Sequence, residues 1–468
     1  MINRRNFIKG AVAAAAIPSL ITKKTFASTE SKENMLAVPP LLEKNVKDGV
    51  SNFSISVQEG KTTFMKGTAI DTMGYNGNLL GKTIRVKKGE KVSIDVTNNL
   101  KEHTAAHWHG LLVPGEADGG PHQQINPGAT WNASFTIEQN AATAWYHPHG
   151  HGNTASQVYK GLGGLFLIDD YISTKLDIPD EYGVNDIPLV IQDRLFTPEG
   201  EVVYLSSMRD IIYGMMGNKV IVNGVLEPTL EVPSGIIRLR LLNGSNARTY
   251  YIQLSDNTPF HVIASDGGFL PAPVRKDVIR ISPGERYEIL ADFSRYKAGE
   301  EIYLSSTGYD FMKLRVTSTK GSKGLPEKLI KAEAQDTASV SGTRSFAMSG
   351  MGRMVTINNK QMDMKRIDEY VKFGTTEVWD VTSRMGMMCG SGEGVIHNFH
   401  AHGTLFKIIS RNGNPPAPEE SGWKDTVALP DGEHVQLLAG FQHKGLYMYH
   451  CHILEHEESG MMGQYLVK

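Results

Sequence analysis

Tyr449-His450-Cys451-His452-Ile453-Leu454-Glu455-His456-Glu457-Glu458-Ser459-Gly460-Met461-Met462, near the end of the 468-residue chain, is the stretch on which the fold turns. Its first four residues echo Tyr146-His147-Pro148-His149 in the first third. Upstream, His400-Ala401-His402-Gly403 echoes His107-Trp108-His109-Gly110. Downstream, Gly460-Met461-Met462-Gly463 before Gln464-Tyr465-Leu466-Val467 echoes Gly161-Leu162-Gly163-Gly164 before Leu165-Phe166-Leu167-Ile168. Motifs that recur in the same order make the first and last thirds two copies of one unit. The middle third has one histidine, His261.

The units read as β-structure. Ile84, Val86, Val92, Ile94 and Val96 alternate with polar residues around the turn Lys88-Gly89-Glu90, the period of half-buried strands. Ile237, Leu239 and Leu241 repeat the pattern in the middle, and Trp379 and Val381 repeat it near the end. Forty-eight Gly and 21 Pro fit many short strands, and long amphipathic helical patterns are scarce. At about 100–200 residues per domain the length suggests about three domains. The expected boundaries are 28–170, 171–318, a Lys/Gly/Ser/Ala-rich linker over 319–344, and 345–468.

Lys plus Arg number 48 against 50 Asp plus Glu, a net charge of −2 that gives no footprint for nucleic acid or a basic membrane-binding face. The two cysteines, Cys389 and Cys451, exclude a disulfide framework. Met1 to Ala27 reads as a signal peptide, with Arg4-Arg5 in a basic head, a short apolar stretch from Ala11 to Ile21 and small residues at Thr25-Phe26-Ala27. No later stretch reaches 18 uninterrupted apolar residues. The expectation is a protein without a stable membrane anchor, working as a monomer.

Four His-x-His pairs carry the chemistry: His107/His109, His147/His149, His400/His402 and His450/His452. Side chains two apart on a strand share a face, so each pair is expected to present two imidazoles to one point. Eight imidazoles in a core without metal would be eight polar groups in need of partners. Parity separates a second site. Cys451 leaves the opposite face from its neighbours, and His397 has opposite parity to His400 and His402. With His456 and Met461 they make the ligand set of a blue-copper site, the Met weak and axial. The repeat is an internal control: the first unit has Pro148 and Leu162 where the last has Cys451 and Met461. This implies one mononuclear copper in the last unit and a larger cluster where first and last units meet.

His107-Trp108-His109-Gly110, His147-Pro148-His149-Gly150-His151-Gly152, His397-Asn398-Phe399-His400-Ala401-His402-Gly403 and the terminal His-Cys-His stretch resemble the four copper motifs of the multicopper oxidases. The resemblance covers nearly all of the chain after the signal segment. It is closest to the three-domain bacterial copper-efflux oxidases, which also act as laccases. It implies an all-β fold of three cupredoxin-like Greek-key domains and four copper ions. Type 1 copper would fall on His397, Cys451, His456 and Met461. Type 2 would fall on His107 and His400, and the type 3 pair on His109, His147, His149, His402, His450 and His452. The reaction implied is one-electron oxidation of a substrate coupled to reduction of dioxygen to water, with Asp118 and Glu457 feeding protons. Asp425 is expected to orient a ligand imidazole. His151 reads as exposed or packed behind the ligand rings, and His103, His122, His261, His434 and His443 as ordinary polar residues. The twin arginine resembles a Tat signal and implies export to the periplasm.

The reductant is expected to be Cu(I), in copper tolerance, or a small phenol. Met348, Met351, Met354, Met362, Met364, Met385, Met387 and Met388, with Cys389, lie just before His397 and offer soft ligands; the competing reading is that methionine fills a core. Glu393 and Val395 stand where the copper-efflux branch has an Asp and a Met, which suggests a less hindered type 1 site. A general phenol oxidase is the alternative. A copper-binding or cell-division scaffold of the same fold is disfavoured, because such relatives lack the ligands and this chain keeps them.

Overall fold

A computed structural model describes residues 33–65, 67–322, 324–332, 339–384 and 396–468. The signal segment, Met385, Met387, Met388, Cys389, Glu393 and Val395 lie outside them. Residues Asn34–Lys468 form one compact unit. Within it, three pairs of sheets follow one another, built from strands between Asn45 and Asp169, between Asp186 and Lys320, and between Val340 and Val467.

All three pairs share one wiring. Val50–Met65 runs parallel to Lys91–Asn98, Asp186–Phe196 to Ile236–Asn243, and Val340–Ser349 to Thr376–Arg384. In each facing sheet a parallel pair recurs: Ile84–Lys87 with Gly164–Asp169, Thr229–Ser234 with Tyr309–Lys320, and Glu369–Val371 with Met462–Val467. Parallel neighbours joined by long connections, with antiparallel partners beside them, give the Greek-key sandwich. Each sandwich has its own core, around Phe53, Ile94, Trp108 and Phe166 in the first, Leu239, Tyr250 and Phe311 in the second, and Trp379, Phe399 and Tyr447 in the third. Summed apolar burial of this kind is the main stabilising contribution.

Lys91–Asn98 alternates exposed and buried positions as expected, with Val92, Ile94 and Val96 inward. Ile236–Asn243 departs from that pattern, because its polar face is buried too. Arg238 and Arg240 lie on that face and meet acids rather than water. Arg240 donates to both oxygens of Asp186 at 2.7 and 2.8 Å and to Glu288 at 2.9 Å. Arg238 donates to Glu288 at 2.8 Å, and Thr143 of the first sandwich also donates to Glu288, at 2.7 Å. This face docks the middle sandwich onto the first.

The first and third sandwiches touch directly. Tyr447 donates its hydroxyl to the Val113 carbonyl at 2.8 Å, and the Gly115 amide donates to the Lys444 carbonyl at 3.1 Å. Gly445, at φ +142°, has no room for a side chain, since a Cβ would lie 2.5 Å from the Gly115 Cα. The backbones approach this closely beside the strands that carry the histidine motifs.

Glu288→Ala would leave Arg238 and Arg240 buried with less than their full complement of acids. The expected loss is about 3–5 kcal/mol of stability, read as a lower denaturant midpoint. Removing the exposed Lys61–Asp71 pair should leave the midpoint near its wild-type value.

Candidate metal centres

The two copies present their histidines by the same device. Strand His107–His109 pairs antiparallel with Ala142–His147, placing His107 opposite His147. Strand His397–Ala401 pairs antiparallel with Gly445–His450, placing His400 opposite His450. Only His107/His109 lies wholly inside a strand. The other pairs begin at or near a strand end and run into the following turn. The expectation that each pair aims at one point holds for His107/His109 and His400/His402, whose ligand atoms stay within reach of one another, and fails for His147/His149 and His450/His452. His147 Nε2 lies 3.4 Å from His109 Nδ1, whereas His149 Nε2 lies 3.2 Å from His450 Nε2. His450 Nε2 is also 3.1 Å from His402 Nε2. The rings of His109, His147 and His452 lie within 5.5 Å of one another, so the six divide into two triads, each drawing on both sandwiches.

Most of the rings have their direction set by what holds the other nitrogen. His107 Nδ1 donates to the Asp118 carbonyl at 2.9 Å, and His400 Nδ1 to the Asp425 carbonyl at 2.8 Å. His147 and His450 donate from Nδ1 to the carbonyls of Pro148, at 2.8 Å, and Cys451, at 3.1 Å. The Nε2 atoms of His107 and His400 are buried and have no hydrogen-bond partner, and neither nitrogen of His452 has one. A buried polar atom left unmade costs about 1–3 kcal/mol, so these lone pairs fit a metal. Burial keeps six of the rings neutral, as ligands must be. His109, His147, His149, His402 and His452 are held well below the ordinary histidine range, and His400 is brought down to about 4.

Asp118 and Asp425 exchange partners across the interface. Besides holding His107 through its carbonyl, Asp118 accepts from His402 Nδ1 of the third sandwich at 2.8 Å on Oδ2. Besides holding His400, Asp425 accepts from His109 Nε2 of the first sandwich at 2.9 Å on Oδ1. The acids then differ: Asp118 Oδ1 is buried without a partner, and both oxygens of Asp425 are occupied. Glu457 lies behind the triad of His149, His402 and His450, 3.5 Å from His149 Nδ1 and 3.2 Å from His450 Nδ1.

The second site lies on the far side of the Cys451 segment. His397, Cys451 and His456 gather within ligand reach of one another, with Cys451 Sγ 3.5 Å from His397 Nδ1. The Cys451 amide donates to the Met461 carbonyl at 3.0 Å, which brings the fully buried Met461 back alongside. His456 Nδ1 is buried and unpartnered. Burial pushes the Cys451 thiol up to about 12, and brings His397 and His456 down to about 3 and 4. Asn398 spans this site and its surroundings. Its Oδ1 accepts from the His452 amide at 2.7 Å, and its Nδ2 donates to the Pro283 carbonyl of the middle sandwich at 2.7 Å.

Glu393 and Val395, on which the expectation of a less hindered type 1 site rests, lie outside the described residues. His397 and His456 are both 0% exposed. His397 Nε2 donates to the Gly350 carbonyl at 3.3 Å and His456 Nε2 to the Ile212 carbonyl at 3.0 Å. A turn of the third sandwich and the helix Met208–Tyr213 of the middle one therefore cover the rings. Of the candidate soft ligands, Met348 belongs to the core, Met362 and Met364 are half-buried, and Met354 is 80% exposed. His122 contacts Gln464, His434 contacts Asp380, His443 lies near Glu138, and His103 contacts the His151 carbonyl. His151 is exposed and His261 half-buried.

Sequence reasoning passed over Arg286, Asn398 and Gly284. Asn398 was findable as the neighbour of His397. Gly284, at φ +82°, leaves room for the His452 ring, which a Cβ would meet at 3.0 Å. It and Arg286 lie in the histidine-poor third, with no motif to mark them.

Three multicopper oxidase family models match the chain, over residues 56–172, 199–319 and 332–468. The multicopper oxidase mco of Staphylococcus epidermidis is 41% identical, covering 94% of both chains. The cell division protein FtsP of Escherichia coli is 36% identical, covering 100% of this chain and 99% of its own. A laccase crystal structure from Pediococcus acidilactici superposes with a TM-score of 0.89 at 37% identity, covering 93% of this chain and 94% of that one. The fold and two histidine-rich centres define a cupredoxin-type metalloenzyme. The chain belongs to the multicopper oxidase family, and is an oxidoreductase of that type. Family membership implies copper as cofactor and oxygen with a reductant as substrates.

A thiol this buried and this weakly acidic is inert. In copper-free protein carrying Cys389→Ser, Cys451 should resist a thiol-alkylating reagent at pH 7–9, where it stays protonated. It should label only after denaturation, as read by mass spectrometry.

Proposed function

We propose that the protein oxidises Cu(I) at a type 1 copper held by His397, Cys451, His456 and Met461. His107, His109, His147, His149, His400, His402, His450 and His452 would hold a second copper centre that receives the electrons. Four copper ions in all would supply the one-electron oxidation of the reductant and the four-electron reduction of dioxygen to water. The role is copper tolerance.

The protein's own groups frame each part of this reaction. Cys451 is bonded in sequence to His450 and His452, so a single peptide segment joins the electron-entry site to both triads. Asp118, with one carboxylate oxygen unpartnered beside His107 and His402, can take up and release a proton there. Glu457 does the same between His149 and His450.

The observation that supports Cu(I) over a bulky phenol is the cover over the type 1 rings. No imidazole edge is open to an aromatic ring among the described residues, because both Nε2 atoms are capped by carbonyls. The cover carries Met354, at 80% exposed, and Met208, at 68%. Thioethers select a small soft ion. The laccase-type structural relative supports phenols as a slower second class. The FtsP likeness supports a cell-division scaffold, but the buried, unpartnered ring nitrogens favour a metal-loaded oxidase.

Oxygen uptake by fully copper-loaded protein, with Cu(I) against a bulky phenol, tests the reading. Combined Met208→Leu, Met351→Leu and Met354→Leu should lower Cu(I) turnover about tenfold, a barrier change of about 1.4 kcal/mol, and leave phenol turnover near wild type. Unchanged Cu(I) turnover would remove the methionine cover from the account, and no oxygen uptake with either reductant would favour the scaffold.

Localisation belongs to the same proposal: Met1–Ala27 directs export to the periplasm as a twin-arginine signal, and the mature protein acts there as a monomer. Arg4→Lys with Arg5→Lys should hold the precursor in the cytoplasm, as read by fractionation and immunoblot.

A further inference from the structure

The middle sandwich supplies none of the eight clustered imidazoles, yet its Arg286 lies against them. Arg286 is 0% exposed and starts the strand Arg286–Asp292. Its Nε donates to the Thr143 carbonyl of the first sandwich at 2.9 Å. Nη1 donates to the Gly284 carbonyl at 3.0 Å and to Asp425 Oδ1 at 2.7 Å. Nη2 donates to the Asp266 carbonyl at 3.1 Å and to Asp425 Oδ2 at 2.6 Å. These partners match all five donors of a guanidinium and come from all three sandwiches.

We propose that Arg286 is a positioning residue for the trinuclear copper site: by clamping Asp425 it sets the rings of His109, from the first sandwich, and His400, from the third. The clamp is two parallel N–H···O bonds, a geometry that fixes a carboxylate in plane. Asp425 passes that orientation on twice. Its Oδ1 holds His109 Nε2 at 2.9 Å and its carbonyl holds His400 Nδ1 at 2.8 Å. The two rings stack, with centroids 3.8 Å apart and planes 9° from parallel. The middle sandwich steadies the same backbone a second time. Asp266 Oδ2 accepts from the amides of Asp425 and Thr426, both at 3.3 Å, and lies 3.0 Å from Lys424 Nζ. Asp118, which holds His402 from the opposite side, is met by His107 and His402 and by no Lys or Arg among the described residues. One of the two exchanged acids is thus locked from the middle sandwich, and the other keeps a free oxygen.

The proposal rests on copper occupying this cluster, and the test separates the two. Wild type, Arg286→Met and Arg286→Lys are loaded with copper. Copper per chain, the blue thiolate absorption of type 1, the electron paramagnetic resonance signal of type 2 and oxygen uptake are then measured. The expected result for Arg286→Met is an intact blue absorption, with the type 2 signal and oxygen uptake down about 10–100-fold. Arg286→Lys keeps the charge but not the planar fork, and should fall between. Should Arg286→Met not fold, Arg286→Lys is read by the same selectivity. Type 1 and type 2 signals lost in equal proportion, or both retained at wild-type turnover, would overturn the positioning role. Wild-type protein that takes up copper at the thiolate alone would instead overturn the copper reading of the cluster.

Discussion

Six of the eight clustered imidazoles hand one ring nitrogen to an oxygen and turn the other inward. The rest of the site depends on that constraint. In a dry interface an unpaired imidazole is costly, and a protonated one beside seven others more so. Holding one nitrogen settles the tautomer, so each of these rings can offer a lone pair to the interior. Four of these oxygens are main-chain carbonyls, of Asp118, Pro148, Asp425 and Cys451.

The exchange between Asp118 and Asp425 turns two similar sandwiches into one site. Each acid holds a histidine of its own sandwich through its carbonyl and one of the other sandwich through its carboxylate. Each half therefore relies on the other to orient one of its rings, His109 in the first sandwich and His402 in the third. The same logic explains why the chain needs a middle sandwich that brings no ligand histidine. Its turn Ser282–Arg286 touches Asn398, makes room for His452 and grips Asp425.

The methionines divide for a similar reason. Met348 alternates into the third core with Phe346, while Met354 lies in a short turn whose exposed side faces outward. Composition alone does not separate these roles, because a thioether is equally suited to filling a core and to binding a soft ion. The turn that carries Met354 also supplies, at Gly350, the carbonyl that closes over His397.

By itself the sequence determined the β-sandwich repeat, the two-site division of the histidines and the separate role of Cys451. These follow from side-chain alternation and motif order, which are local properties of a strand. Which imidazole faces which was decided by tertiary structure, since three of the four pairs reach a strand end and their rings turn with the following loop. The burial of Arg238 and Arg240, the cover over His397 and His456, and the clamp of Arg286 on Asp425 were decided there too. Each joins residues far apart in the chain, and no spacing in a linear sequence encodes a charge that is satisfied only when three sandwiches close around it.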